Sequence, residues 1–301
     1  MSLHNNAVLV SIKLTKLGVT RKDKQATTDV TDSNKAQRGS AKVTKELLPN
    51  NQLLRQITQC DSAIRQVVVR YALPWDAASY LLPTKHFLHF KADISSLLKQ
   101  REGLVTDFIS DYPVAVADAF NTLGDLYNPN DYPHPSDVPL AFTASVDYAP
   151  IPMTRDFRVE ASQELVSEME ASYQAAMDTK LADVKRATWQ RVYNVTNALV
   201  DRLTDDDNAV SKTTKTGAKV FRDSLVDNAN ELMGLLDGFN IEGDTVMGDA
   251  AAQLRVLLQG ITPSVLRNSA TTRAEVAGGA AVIQRTADDI LNNMSMVWGD
   301  V

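Results

Sequence analysis

Seven of the chain's 11 prolines fall between Asp111 and Val159: Pro113, Pro129, Pro133, Pro135, Pro139, Pro150 and Pro152. A proline lacks the backbone N–H, and its ring clashes with the preceding helical turn, so a stretch this dense in proline cannot be helical throughout. Apolar residues at helical spacing lie on both sides of it. The stretch therefore reads as a connector between two helical halves. The expected layout is an N-terminal strand and helical region with a basic arm over 1–125, a proline-rich connector with short strands over 126–160, and a helical bundle opened by a long helix over 161–301.

Before the connector, Val8, Val10, Ile12 and Leu14 alternate with Leu9, Ser11 and Lys13, the period of a strand with one buried face. Residues 21–38 are polar, with scarcely any apolar stripe, and read as a short surface helix or a mobile arm. Val43, Leu47 and Leu48 start a helical pattern that Pro49 interrupts. Asn50 or Asn51 can cap the next helix, whose stripe runs through Leu53, Leu54, Ile57, Ile64, Val67, Val68 and Tyr71 and stops short of Pro74. Leu81, Leu82 and Pro83 read as a rigid corner. Thr84 can cap a helix through Phe87, Phe90, Ile94, Leu97, Leu104 and Phe108. Asp111 can open a separate short helix through Val114, Ala119 and Phe120, with Gly124 as its C-terminal cap.

After Pro139, Phe142, Ala144, Val146 and Tyr148 alternate as a strand, and a second short strand is expected at Phe157–Glu160. From Ser162 the apolar residues Leu165, Val166, Met169, Tyr173, Leu181, Val184, Val192, Val195, Leu199 and Leu203 recur at mostly three- and four-residue steps. That predicts one helix of some 40 residues, about 60 Å long. A rod of that length outruns the core its own chain can build around it. Leu165, Met169, Tyr173, Val184 and Leu199 are therefore the expected contacts with a neighbouring helix or a second subunit. Later helices end at Gly238 and Gly260, and Pro263 fits the first turn of a short helix. Gly278 and Gly279 sit inside the last helix and point to a close helix approach or a hinge. The predicted class is α+β, predominantly α-helical, with long helices packed as a bundle and a small antiparallel sheet.

Chemistry is sparse. Cys60 is the single cysteine, which excludes an intrachain disulfide framework and fits a small buried residue in a reducing compartment. His86, His89 and Asp93 have zinc-compatible side chains at helical spacing but form no recognised motif. Lys212–Lys219 lacks the glycine and lysine order of a phosphate-binding loop. Asp205–Asp207 lacks the glycine and distal glutamate of a calcium loop. With no nucleophile elbow and no cofactor signature, the expectation is a non-enzymatic protein with no cofactor. The start of the chain has no basic region of the secretory kind, and no segment approaches the ~20 apolar residues of a membrane helix.

Charge is unevenly placed. The chain carries a net −6, yet residues 1–60 hold ten Lys/Arg against four Asp/Glu. Arg21, Lys22 and Lys24 are the candidate contacts of this basic region with a polyanion or with the acidic face of a second copy. Residues 13–55 contain no aromatic side chain to interleave with those cations, which weighs against single-strand stacking.

The ordered series Pro74-Trp75-Asp76, Leu82-Pro83, Asp111-Tyr112-Pro113, Leu123-Gly124, Leu126-Tyr127-Asn128-Pro129, Asp131-Tyr132-Pro133, Asp156-Phe157-Arg158-Val159 and Phe221-Arg222-Asp223-Ser224-Leu225 resembles an uncharacterised protein family. That family occurs in tailed phages, prophages and conjugative elements. The resemblance covers residues 5–260 or so. It implies a phage or mobile-element origin, action in the cytoplasm of a bacterial host, and a gene neighbourhood with a MoxR-like AAA+ ATPase and a von Willebrand-type partner. It brings no catalytic residues. The leading expectation is a structural or interaction protein that self-associates through long helices. The alternatives are an adaptor of the AAA+ machine and a DNA-binding protein using the basic N-terminal region.

Overall fold

The computed structural model describes residues 3–152, 163–204, 224–240 and 243–297. The chain is a mostly helical α+β protein with a small antiparallel sheet. In order the elements are α1 (Leu3–Asn6), β1 (Ala7–Leu14), β2 (Thr20–Asp23), α2 (Lys24–Ser33), β3 (Val43–Glu46), α3 (Gln52–Tyr71), β4 (Leu73–Pro74), β5 (Ser79–Pro83), α4 (Phe87–Leu123), β6 (Ala144–Ala149), α5 (Gln163–Leu203), α6 (Ser224–Phe239), α7 (Thr245–Leu257), α8 (Pro263–Asn268) and α9 (Ala270–Val297). One sheet has the order β4-β5-β1-β6, and β2 pairs with β3 in a separate ribbon. The strand expected at Phe157–Glu160 lies outside the described residues, as do Asp205–Asp207 and Lys212–Lys219. Among the described residues no helix is long and apolar enough to cross a membrane.

Two compact units are drawn from interleaved stretches of chain. The first comprises Met1–Val10, Val69–Leu88 and Tyr148–Val301, the second Ser11–Val68 and His89–Asp147.

In the first unit, α5 packs along α9 and α6, and α7 lies against α6 and α9. Trp189, Val192, Leu199 and Leu203 of α5 meet Leu232 and Leu236 of α6, Leu254 of α7, and Ala280, Ile283 and Ala287 of α9 in one core. Small residues on α9 let the helices approach. A β-carbon at Gly279 would collide with the side chain of Leu257, whereas Gly278 faces open space. So the glycine pair serves close approach at Gly279 alone. A second apolar cluster joins Leu73 and Leu81 of the β4–β5 hairpin to Met177 and Val184 of α5 and to Leu235 and Phe239 of α6.

That hairpin corrects the expected corner at Leu81–Pro83. Leu73 pairs with Leu81 and Pro74 with Tyr80. Asp76 closes the turn by accepting from the backbone N–H of Ala78 and Ser79, both at 2.8 Å, and from the Ser79 hydroxyl at 2.7 Å. Two leucines in a row mark a strand buried on both faces as readily as a corner, and the aspartate turn decides it.

In the second unit, Leu48, Leu54 and Ile57 pack on Phe108, Tyr112, Ala115 and Ala119 of α4 and on Val138 of the connector. Two local expectations are corrected here, and one, at Thr84, in the first unit. Val43 lies in β3, not a helix, because residues 43–46 pair antiparallel with Thr20–Asp23. Thr84 caps nothing: its hydroxyl donates to the Asn6 carbonyl at 3.1 Å, and the short 3-10 turn it opens has no side-chain cap. Most telling, α4 does not break before Pro113 but runs 37 residues with the proline inside. An interior proline costs a helix about 3 kcal/mol. Phe108, Tyr112, Ala115 and Ala119 straddle it at steps of four and three, and all four are buried in one core. Breaking the helix would forfeit that shared face, which is worth more than the lost hydrogen bond.

Candidate interaction surfaces

The rod predicted from Ser162 onward is a single unbroken helix of 41 residues. Its two halves differ. Its buried residues are Met177, Val184, Thr188, Trp189, Val192, Thr196, Leu199 and Leu203, so none precedes Met177. Val184 and Leu199, expected against a neighbouring helix or a second subunit, pack in the chain's own core. Tyr173 is half-buried, and its hydroxyl donates to the Pro152 carbonyl at 2.6 Å. Met169 is half-buried, while Leu165 is 47% exposed. Further along, Lys180 donates to the Trp75 carbonyl at 2.9 Å and stands 4.9 Å over the indole ring. Arg191 donates to the carbonyls of Val69 and Arg70, the last turn of α3, where helix carbonyls lack partners. Burial of its guanidinium lowers its proton affinity, and the nearby Glu231 opposes that.

In the second unit Arg21 and Lys22 sit on β2 and Lys24 opens α2, all three exposed. Thr20↔Glu46, Arg21↔Lys45, Lys22↔Thr44 and Asp23↔Val43 define the register. Directly opposed residues share a face, so Arg21, Asp23 and Lys45 are on one side of the ribbon. Lys45 is buried there. Its ammonium lies 3.2 Å from Asp23 and 3.0 Å from Asp131, and it donates to the Leu126 carbonyl at 2.6 Å. Burial works against its charge, but the bonds to Asp131 and Asp23 outweigh that and raise its proton affinity. The N–H of Ala26 and the Lys45 ammonium in turn hold the Asp23 carboxyl below the usual carboxylate range.

Lys45 thus fastens the connector to the ribbon, and with the connector come aromatic rings. The Tyr132 hydroxyl donates to the Leu47 carbonyl at 2.8 Å. Tyr132 stacks on Tyr127 at 5.2 Å between centroids, and Tyr127 meets Phe120 edge-on, also at 5.2 Å. Phe120 is 61% exposed. Sequence reasoning missed this ladder, because its rings come from residues 120–132 and the ribbon that carries them from residues 20–46.

The remaining candidates reduce to structure. Arg101 and Asp61 form a buried pair at 2.5 Å, and Arg101 also donates to the Thr15 carbonyl at 2.6 Å. Cys60 is buried, and burial followed by the charge of Asp61 pushes its thiol toward the protonated form. A protonated thiol is a poor nucleophile. His86 has the rings of Tyr71 and Phe239 as neighbours, with centroids 6.3 and 6.2 Å away, while His89 is exposed. Among the described residues no group of three or more His, Cys, Asp or Glu is placed to hold a metal ion. A polar cleft of about 150 Å³ is lined by Asn50, Asn51, Asp111, Asp118 and Thr122 among others, with no nucleophile–base pair in it. No family model, no curated protein and no solved structure matches the chain.

Proposed function

We propose that the chain is a non-enzymatic structural or interaction protein that self-associates through the first half of α5. One observation supports this reading: a 41-residue helix whose buried positions begin only at Met177. Residues 163–176 extend it by roughly 21 Å. Over that length Leu165, Val166 and Met169 repeat at steps of one and three, which is the stripe of a helix that pairs, and Tyr173 four residues on leads it into the chain's own core. Leu165 remains exposed, and its neighbours are only half-buried. A second copy laid along the same stripe would complete their burial, as isologous contacts do. The phage or mobile-element origin is part of this proposal and rests on the resemblance alone.

Sedimentation velocity on the full chain tests it. The expected result is a dimer or larger assembly that Leu165→Asp with Met169→Asp converts to monomer, with helix content unchanged by circular dichroism. The stripe is flanked by Glu164, Glu168 and Glu170, so association should strengthen as salt screens their repulsion. A monomeric wild type at every concentration and salt would overturn the proposal.

A further inference from the structure

We infer that the aromatic ladder Phe120–Tyr127–Tyr132, with Arg21 on the ribbon face that anchors it, is a binding platform for single-stranded nucleic acid. The basic N-terminal region by itself lacks rings. The fold supplies them from another part of the second unit.

The ladder is anchored at one end and open at the other. Tyr132 is tied to the Leu47 carbonyl, next to β3, and Leu47 continues the ribbon by donating to the Val19 carbonyl at 2.7 Å. Tyr127 and Phe120 follow outward at successive centroid spacings of 5.2 Å. The ring at the open end is well exposed, and Leu126, next to Tyr127 in the chain, is 40% exposed. The faces of nucleobases stack on exposed aromatic rings whatever the sequence.

The charges fit the same occupant. Residues 16–46 hold eight Lys/Arg against four Asp/Glu. Arg21 shares the face of Lys45, against which the ladder's anchor is built. Two carboxylates at that face, Asp23 and Asp131, are already engaged by the Lys45 ammonium. Arg21, on that face, is exposed and is the group to meet phosphates, whereas Lys22 alternates to the opposite face of the ribbon. Asp125 and Asp137 lie on the connector too, which sets the site apart from a strongly basic groove and implies affinity of the non-specific kind, on the order of 10–100 μM.

The test is fluorescence anisotropy with the full chain and a labelled oligothymidylate of roughly 12 nucleotides at low salt. Saturable binding is expected, weakened about tenfold by Phe120→Ala, with an unchanged circular dichroism spectrum as the check on folding. Arg21→Ala should weaken binding and lower the slope of log K against log salt by about 0.7, whereas Lys22→Ala, on the opposite face, should leave both nearly unchanged; equal effects of the two would overturn the placement. No binding at low salt would overturn the inference. So would binding that ignores Phe120→Ala, which is plain ion attraction, or equal affinity for duplex DNA. Capture of a polyproline peptide in place of the oligonucleotide, lost in Phe120→Ala, would reassign the ladder to protein recognition.

Discussion

Gly238 abuts the Nε2 end of the His86 ring, leaving no room for a side chain between them. A β-carbon at 238 would overlap Nε2 of the ring and fall 2.5 Å from Cδ2 and 3.0 Å from Cε1. Retreat of the ring is limited by Tyr71 and Phe239, whose ring centroids lie 6.3 and 6.2 Å from its own. Alanine favours a helix by about 1 kcal/mol over glycine, but overpacking a rigid ring costs about 1–3 kcal/mol. Gly238→Ala should therefore destabilise the first unit despite its better helix propensity. Urea unfolding would check this, and combining it with His86→Ala should recover most of the loss. An additive double variant would mean the two residues do not compete for space.

The glycine pair of α9 offers the complementary comparison. A methyl group added at Gly278 would meet nothing within 4 Å, whereas at Gly279 it would press on Leu257, with Cδ2 at 3.1 Å. Gly278→Ala should stabilise by about 0.5–1 kcal/mol. Gly279→Ala should lose that gain, because Leu257 must move its end out of the core between α7 and α9. The two thermal midpoints, measured side by side, decide whether close approach or hinge freedom explains the pair: a hinge would make both substitutions act alike.

Lys45 and Tyr112 make the second unit sensitive to alkali. Burial raises the Tyr112 phenol to about 12, with the charges of Tyr132 and Tyr127 adding to it. Its hydroxyl donates to the Pro133 carbonyl at 3.0 Å. Lys45 is likewise raised by Asp131 and Asp23 against the opposing effect of burial. A group with a raised folded-state value contributes its stability below the unfolded value and loses it as pH climbs through the folded one. Stability should thus fall between about pH 10 and 12. Tyr112→Phe should cost about 1 kcal/mol at neutral pH and flatten part of that fall. Lys45→Met leaves Asp23 and Asp131 facing each other without their cation and should cost about 3 kcal/mol.

Much of this architecture is legible in the residues themselves. The alternation over Val8–Leu14 marks β1, and Asn51 does accept from the Leu54 N–H at 3.0 Å at the start of α3. Gly124 ends α4 with φ +52°, and Pro263 opens α8 behind a Thr262 cap. These signals are local: a cap or a period is written within a few residues of the feature it makes. What escaped was set by partners far along the chain. β3 is four residues long and is a strand only because β2 pairs with it. Pro113 stays helical because Phe108 and Ala119 share a core across it. The Lys45 cluster and the aromatic ladder depend on the connector folding back onto the ribbon, and no periodicity announces that.

Acid should loosen both units by a different route. Asp76 is held below the usual carboxylate range by the Ser79 hydroxyl first and then by the Ala78 N–H, and Asp23 by the Ala26 N–H and then Lys45. A carboxyl lowered in the fold contributes stability above its unfolded value and loses it as pH falls through the folded one. The loss should begin near pH 4 and deepen below it. Asp76→Asn keeps an acceptor for the turn but cannot lose a charge. It should weaken the β4–β5 hairpin slightly at neutral pH and remove that residue's share of the acid dependence. Amide exchange at Leu73, Ala78 and Leu81, followed from about pH 6 to 3, reads the hairpin directly. Equal acid sensitivity in wild type and variant would show that the Asp76 charge does not hold the turn.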